Sequence, residues 1–327
     1  MANPDPGGRA LSSVPSSEVG GASGALAVVG VTATGKSAVG MAIARRLGNT
    51  EIISVDSMQV YREMDIGTDK PTAAVRAEVT HHLVDVADPS EDYSLTMFQA
   101  AARQARSEIA ERGRRAVLVG GTGLYHRAVI DDLEIPGRYP EAAAALEEEA
   151  DTEALHRRLA ELDPVAAARM EPTNRRRIVR ALEVTVGSGR PFSSYGPGLS
   201  TYPPRGIAQF GLSLSRAEID RRIEQRYHQQ MEAGFLAEVE ALVDRHPPLS
   251  RTASQALGYK ELFEHLNGEM SLDEAVALAV ARTRKFARRQ ERWFRRDPRI
   301  VWLDADADAE SLADEALSRM PTHTAQE

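Results

Sequence analysis

Eight consecutive residues, from Gly30 to Ser37, carry the clearest chemical signal in the chain, and their sequence is GVTATGKS. They match the pattern G-x-x-x-x-G-K-[ST], in which backbone N–H groups and the start of a helix form a cradle for phosphates. In such a P-loop, Lys36 neutralises phosphate oxygens and the Ser37 hydroxyl holds Mg²⁺. The motif predicts binding of a chain of phosphates without identifying the molecule that carries them. The predicted phosphate-binding residues are Gly30, Val31, Thr32, Ala33, Thr34, Gly35, Lys36 and Ser37.

A carboxylate, Asp56, follows the apolar run from Ile52 to Val55 directly. Such a group could hold a metal ion, accept a proton from a substrate, or only cap a turn. Ligands of parallel sheets gather at the carboxyl ends of strands, so the P-loop, Asp56 and the glycine turn GGTG that starts at Gly120 can face one crevice. This position beside a P-loop favours a chemical role for Asp56 over a turn cap.

Two arginine clusters stand out against a net charge of −8. Their sequences are NRRRIVRALE and ARTRKFARRQERWFRRDPR, and helical spacing can place several arginines of each cluster on one face. Such a face could bind the phosphates of a nucleic acid or simply lie in solvent, and charge alone does not decide between these. The candidate residues are Arg176, Arg177 and Arg180 in the first cluster and Arg284, Arg288 and Arg292 in the second.

The elements that must position these groups follow an alternating pattern. Helical segments separate short apolar runs that predict strands, namely ALAVVG, EIISV, HHLVDV, AVLVGGTG, IAQFGLSL and RIVWL. This alternation predicts a parallel α/β sheet. Ser94 is the predicted N-cap of one helix, and further helices are expected within residues 216–245 and 272–296.

The pattern changes after about residue 134, because nearly everything from Pro140 to Gly187 predicts helix. We therefore divide the 327 residues into an α/β core of residues 25–134 and 201–318, which ends in helices, and a helical insertion of residues 135–200. Residues 1–24, rich in Gly, Ser and Pro, are predicted to be a disordered tail, and residues 319–327 form a second tail. The absence of cysteine excludes a disulfide framework and a thiolate zinc site. No stretch approaches the roughly 18 apolar residues that a membrane span needs.

Taken together, the motifs resemble those of the tRNA dimethylallyltransferases, also called tRNA isopentenyltransferases. The resemblance implies a P-loop NTPase-like α/β core with a helical insertion that grips tRNA, and it points to the bacterial type. It covers Gly30 to about Leu303. The matching segments, in the order of the family, are GVTATGKS, DSMQVYREMDIGTDKP, HHLVDVADPSEDYS, GGTGLY, RRRIVRALEV, QALGYKE and TRKFARRQERWFR.

The resemblance also implies an activity and roles for individual residues. The family transfers a dimethylallyl group from its diphosphate to N6 of the adenosine 3′-adjacent to the anticodon, with Mg²⁺ as cofactor. Asp56 is then the general base, and Lys36, Thr32 and Arg226 act on the diphosphate. The residues implied to contact tRNA are Asp56, Ser57, Met58, Gln59, Thr122 and the arginines of the helix from Arg176 to Arg180. We expect the anticodon stem-loop of tRNA and dimethylallyl diphosphate as partners, no membrane, and a cytoplasmic monomer.

Two other functions remain open from the residues themselves. A P-loop small-molecule kinase would use Asp56 to activate a hydroxyl and ATP as donor, but it has no use for the basic helices. A nucleotide-switched RNA-binding protein would bind RNA in response to a nucleotide and leave the RNA unmodified. Incubation with tRNA and dimethylallyl diphosphate, followed by weighing of the nucleosides, separates all three functions.

Overall fold

The computed structural model of the protein describes residues 25–320. Within them, six parallel strands form one sheet in the order β3-β2-β4-β1-β5-β6, so the predicted α/β fold class is confirmed. The predicted tail of residues 1–24 and most of the tail of residues 319–327 lie outside the described part. The strands are β1 (Leu26–Gly30), β2 (Thr50–Ser54), β3 (His81–His82), β4 (Arg115–Gly120), β5 (Ala208–Ser213) and β6 (Ile300–Asp304).

Helices connect the strands and cover the sheet, and none of those between residues 25 and 320 is long and apolar enough to span a membrane. They are α1 (Lys36–Leu47), α2 (Ala73–Glu78), α3 (Leu95–Glu111), α4 (Gly123–Asp131), α5 (Pro140–Glu147), α6 (Thr152–Leu162), α7 (Pro164–Ala167), α8 (Arg175–Ser188), α9 (Arg216–Glu232), α10 (Phe235–Val243), α11 (Tyr259–Leu266), α12 (Leu272–Phe294) and α13 (Ala309–Ser318). Every residue of β1 and β2 is buried, as expected for inner strands of a parallel sheet with both faces covered.

Local signals in the sequence set several of these boundaries. The Ser94 hydroxyl accepts a hydrogen bond from the Met97 amide and caps α3, as predicted. The stretch 216–245 contains two helices, because Gly234 adopts φ +98° between α9 and α10. HHLVDV extends as a strand over only two residues, since Leu83 and Asp85 adopt positive φ and leave the β conformation.

Helices α5 to α8 form a hydrophobic core of their own within the stretch predicted as an insertion. Leu159 of α6 packs there with Ile178 and Leu182 of α8, and all three side chains are fully buried. The apolar residues of α8 recur at helical spacing, so one face of this helix enters the small core and the opposite face carries charge. The arginines of α8 are therefore presented by a helical unit with its own apolar support.

A buried charge network fastens the chain where it returns from these helices to β5. Asp131, at the end of α4, accepts hydrogen bonds from the guanidinium groups of Arg127 and Arg299, and Asp297 pairs with Arg299 at 2.7 Å. Other N–H groups of the two arginines donate to backbone carbonyls within residues 199–203 over 2.7 to 2.9 Å. Since every charge has a partner, the network can hold this segment without leaving a buried ion uncompensated.

We expect Asp131→Asn to lower the free energy of unfolding by about 3–5 kcal/mol, because it deprives the buried Arg127 guanidinium of its charged partner and Arg299 of one of two. Urea denaturation measures the change. Asp132→Asn is the matched control. Asp132 pairs with Arg103, and both side chains are more than 60% exposed, so this change should cost less than about 1 kcal/mol. Equal, small losses in both variants would contradict an anchoring role for the network.

Candidate active site

Three loops meet at one edge of the sheet because β2, β4 and β1 are neighbours that run in the same direction. The loop of residues 30–36 follows β1, Asp56 follows β2, and the glycine turn follows β4. The turn lies so close to the P-loop that a Cβ placed on Gly121 would stand 3.2 Å from the Gly30 carbonyl oxygen. The Ser57 amide donates to the Thr122 hydroxyl at 3.2 Å, which joins the other two loops.

The P-loop has the backbone shape of an anion cradle. Gly30, Ala33 and Gly35 all adopt positive φ, and α1 begins directly afterwards without a side-chain cap. The Thr34 hydroxyl donates to the Val31 carbonyl at 2.8 Å and braces the loop from within. The first amides of α1 therefore remain available to an anion, and the dipole of the helix favours negative charge at this point.

Lys36 is held in an environment that weakens its charge. Burial lowers the pKa of Lys36 to about 8; the negative charges of Asp56 and Asp69 oppose this shift, and the positive charge of Arg226 adds to it. Its ammonium group donates to the Val31 carbonyl at 2.6 Å. A phosphate group bound in the cradle would supply the anion that favours the charged form of Lys36.

Thr32 is the point where three distant segments meet. Its hydroxyl accepts a hydrogen bond from Nη1 of Arg226 on α9 at 2.9 Å. Its amide donates to Oε1 of Gln290 on α12 at 2.9 Å, and Nε2 of Gln290 donates to the Gly121 carbonyl at 2.8 Å. Nε of Arg226 is buried and has no hydrogen-bond partner within residues 25–320, so the guanidinium beside the P-loop retains donor capacity.

The two oxygens of Asp56 are in different situations. Oδ1 accepts hydrogen bonds from the amides of Met58 at 2.8 Å and Gln59 at 3.4 Å, which is the arrangement of a turn cap. Oδ2 accepts none from the described part of the chain, and the residue is half-buried. The turn-capping role and a chemical role are therefore compatible, since each can use its own oxygen.

The residues that follow Asp56 differ in how many of their polar atoms are already hydrogen-bonded within the protein. Ser57 and Thr122 are half-buried and contact each other, and Met58 packs on the edge of the core. Gln59 is engaged internally: its Oε1 accepts from the Ser54 hydroxyl at 2.7 Å, and its Nε2 donates to the Asp69 carbonyl at 3.0 Å. The structure thus places Gln59 as a brace of the loop; its contact with tRNA stays a prediction.

A further carboxylate, which the sequence analysis missed, holds the loop beyond Gln59. Oε2 of Glu238 accepts from the amides of Asp65 and Ile66 at 3.0 and 2.8 Å. Its Oε1 accepts from the Tyr259 hydroxyl at 2.5 Å. Rings of α10 and α11 also leave no room for a side chain at Gly67. No local spacing marks Glu238, because the loop amides that it binds are about 170 residues away in the sequence.

The predicted RNA-contacting arginines of α8 are not equivalent. Arg176 and Arg177 are exposed. Arg180 is half-buried, donates to Glu183 at 2.7 Å, and donates to the carbonyls of Pro136 and Gly137 at 2.8 and 2.9 Å. Arg180 therefore fastens α8 to the segment that enters the helical unit, while the side chains of Arg176 and Arg177 are exposed to solvent.

The arginines of α12 divide in the same way. Arg284 pairs with Glu224 at 2.7 Å and donates to the Asp220 carbonyl at 3.0 Å, so its guanidinium is committed to α9. Arg288 and Arg292 are exposed and line an open cleft of about 560 Å³. Its other lining residues are Arg216, Lys285 and Glu291. The cleft is predominantly basic, which suits the phosphates of a nucleic acid.

The oxygens near the P-loop fit a magnesium ion that is shared with a ligand. Between residues 25 and 320, no group of three or more acidic or histidine side chains could hold a metal ion alone. The exposed hydroxyl of Ser37, in the first turn of α1, is nevertheless available to such an ion. Mg²⁺ commonly takes one or two protein oxygens and completes its shell with substrate phosphates and water.

A P-loop follows β1, and its Lys36 lies near Asp56, which follows β2, two positions along in the sheet. This arrangement defines the class of P-loop NTPase-like proteins, which bind a chain of phosphates. The comparison with protein families is more specific. The family described as IPP transferase matches residues 59–297, and the one described as isopentenyl transferase matches residues 23–84. The chain belongs to the IPP transferase family.

Individual relatives agree with this assignment. The chain is 47% identical over 298 residues to a tRNA dimethylallyltransferase of Streptomyces coelicolor, covering 90% of this chain and 94% of the relative. One of Kineococcus radiotolerans is 46% identical, with 92% and 97% covered. The tRNA isopentenylpyrophosphate transferase of Bacillus halodurans has a similar structure, with 37% identity, a TM-score of 0.66, and 91% and 96% covered. A eukaryotic dimethylallyltransferase acting on tRNA gives a TM-score of 0.73 at 25% identity, with 93% and 82% covered.

The lowered pKa of Lys36 predicts a pH-dependent affinity for magnesium pyrophosphate. The charged form binds the anion, so affinity should be highest below pH 8 and should fall by up to about tenfold per pH unit above it. Lys36→Arg keeps its charge throughout this range, and its affinity should fall less. Calorimetry from pH 7 to 9.5 measures the affinity of the wild type and of Lys36→Arg. Their ratio cancels the titration of pyrophosphate itself, which affects both proteins equally. A constant ratio would contradict the assignment of the titration to Lys36.

The division within α12 predicts different salt effects for two arginines. If Arg288 meets a tRNA phosphate, Arg288→Ala should reduce the slope of log K against log salt by about 1 and weaken all substrate tRNAs alike. Arg284→Ala should leave the slope unchanged, since this side chain is paired with Glu224. Titration of tRNA at several salt concentrations measures both. An unchanged slope for Arg288→Ala would restrict the RNA footprint to α8.

Proposed function

We propose that the protein transfers a dimethylallyl group from dimethylallyl diphosphate to N6 of the adenosine 3′-adjacent to the anticodon of tRNA. One observation carries the proposal. The free oxygen of Asp56 lies at the same sheet edge as an anion cradle that contains Lys36 and faces Arg226. A proton acceptor beside a site for a departing diphosphate is what alkyl transfer to an amino group requires.

The P-loop stabilises the leaving group. As the bond between C1 of the dimethylallyl group and the diphosphate oxygen breaks, negative charge collects on the diphosphate. The first amides of α1, the ammonium of Lys36 and the guanidinium of Arg226 are fixed around that position before the reaction starts, so little reorganisation is needed. Mg²⁺, held by Ser37 and the phosphate oxygens, would supply further positive charge.

Asp56 acts on the nucleophile. The lone pair of adenine N6 is delocalised into the ring, so N6 attacks well only as it loses a proton. The allylic carbon can bear much positive charge, which allows the new N6–C1 bond to form late. Oδ2 of Asp56 accepts a hydrogen bond from the amino group and then its proton, while Oδ1 stays bound to the turn amides and keeps the carboxylate in place.

The basic surfaces account for a large RNA substrate. The adenosine must leave the stack of its loop to reach Asp56, which costs a few kcal/mol. Contacts of phosphates with Arg288 and Arg292 on α12, and with Arg176 and Arg177 on α8, can offset that cost.

We expect a cytoplasmic enzyme that acts as a monomer.

A small-molecule kinase is not favoured. The relatives are named as transferases that act on tRNA, and a kinase for a small hydroxyl substrate has no use for the exposed arginines of α8 and α12. A nucleotide-switched RNA-binding protein would require nucleotide-dependent binding and would release unmodified RNA.

Asp56→Asn tests the general base. The amide retains the size of the carboxylate and its single oxygen can keep the turn bonds. The group facing N6 is then an NH2 that cannot accept a proton, so kcat should fall by about 10²–10⁴-fold. The assay incubates unmodified tRNA with dimethylallyl diphosphate and quantifies N6-(dimethylallyl)adenosine by mass spectrometry after digestion. Pyrophosphate affinity should be nearly unchanged.

The Asp132→Asn variant, which changes an exposed carboxylate outside the site, should retain the turnover of the wild type. A near-normal kcat for Asp56→Asn would reduce Asp56 to a turn cap. If the wild type made no modified nucleoside from any tRNA, the proposed function would be wrong.

A further inference from the structure

Gln290 joins the basic helix α12 to the two glycine loops of the site. Its Oε1 accepts from the Thr32 amide at 2.9 Å and its Nε2 donates to the Gly121 carbonyl at 2.8 Å. A backbone amide can only donate and a carbonyl can only accept, so these two partners determine which end of the side-chain amide carries the oxygen. The side chain is 7% exposed, and Gly121 has no space for a Cβ because Nε2 of Gln290 would lie 2.5 Å from it.

These contacts determine how Thr32 is presented to a diphosphate. Gln290 takes the Thr32 amide, which is then withdrawn from the anion cradle. The Thr32 hydroxyl accepts a hydrogen bond from Arg226, so its own hydrogen remains free to be donated to a phosphate oxygen. With the backbone held on one side and the hydroxyl on the other, the side chain has little freedom to turn away.

We propose that Gln290 is a positioning residue that aims the Thr32 hydroxyl at the leaving diphosphate. This inference rests on the proposed function. Gln290 itself touches no substrate and acts through Thr32. Its helix is also anchored on the other side of the glycine turn, because the Trp293 ring fills the space where a Cβ on Gly123 would stand.

The two faces of α12 have different surroundings, and Gln290 lies in the sequence between two exposed arginines. Arg288 and Arg292 lie on the outer face of α12, while Gln290 and Phe294 are buried on its inner face. One rigid helix therefore carries both the predicted RNA contacts and Gln290, which binds the P-loop at Thr32. A tRNA phosphate bound by Arg288 or Arg292 would then be separated from the phosphate loop by the width of that helix.

A double-mutant cycle tests the proposal. Gln290→Met keeps the length of the side chain and removes both hydrogen bonds; kcat should fall by about 10–10²-fold, the usual cost of a small misplacement of a reacting group. The KM for dimethylallyl diphosphate should change less than about threefold, since the cradle amides and Lys36 remain. In a Thr32→Ala background, where no hydroxyl is left to aim, Gln290→Met should lower kcat by less than about twofold.

Gln99→Met is the matched control for a merely structural effect. Gln99 is also 7% exposed, and its Nε2 donates to the carbonyls of Ala128 and Leu133 at 2.8 and 2.9 Å. This variant should be destabilised in thermal unfolding to a similar extent and yet keep its kcat at a temperature where both variants are folded. A loss from Gln290→Met of the same size with and without the Thr32 hydroxyl, or an equal kcat loss in Gln99→Met, would overturn the proposal.

Hydrogen exchange of the Thr32 amide provides a readout that needs no transferase activity. The amide should exchange at least about tenfold faster in Gln290→Met than in the wild type, because its acceptor is gone; Gln99→Met should leave it unchanged. An unchanged rate in Gln290→Met would show that Gln290 does not hold Thr32. If the wild type made no modified nucleoside while this amide still depended on Gln290, the proposed reaction would be wrong and the positioning contact would stand.

Discussion

The common direction of β2, β4 and β1 is the constraint on which the site depends. Parallel neighbours bring the carboxyl ends of all three strands to one edge, and each end there opens into a loop that carries a reactive group. Reversing any one strand would send its loop to the opposite edge. The P-loop, Asp56 and the Gly121 turn are therefore brought together by backbone hydrogen bonding before any side chain contributes.

Buried charge serves two purposes in this protein, and pairing distinguishes them. Arg127 and Arg299 are compensated by Asp131 and Asp297, and the network holds a connecting segment. Lys36 has carboxylates nearby but bonds only to a backbone carbonyl, and burial lowers its pKa to about 8. A fully paired network stabilises a fold, whereas a partly compensated cation in a cradle of amides favours the arrival of an anion.

Several residues of the site combine support with chemistry. One oxygen of Asp56 holds the turn that aims the other, and the Thr32 hydroxyl that accepts from Arg226 still has a hydrogen to donate. The supporting contacts come from far along the chain, through Gln290 on α12 and Glu238 on α10. Such contacts keep reacting groups in place at no cost during the reaction, which is the basis of electrostatic preorganisation.

Local sequence patterns were enough to predict the P-loop, the strand that delivers Asp56, the cap of α3 at Ser94 and the family. These features are local patterns of a few residues, and the backbone geometry that each requires is specified within the pattern itself. The roles of Gln290 and Glu238 are visible only in the folded chain, because the loops that they hold lie about 170 to 260 residues away in the sequence. The folded structure also shows that Arg284 and Arg288, which lie four residues apart on α12, have different surroundings. Periodicity identifies the residues of a helix face, but only the packing of α9 against α12 determines that Arg284 meets Glu224 while Arg288 stays exposed.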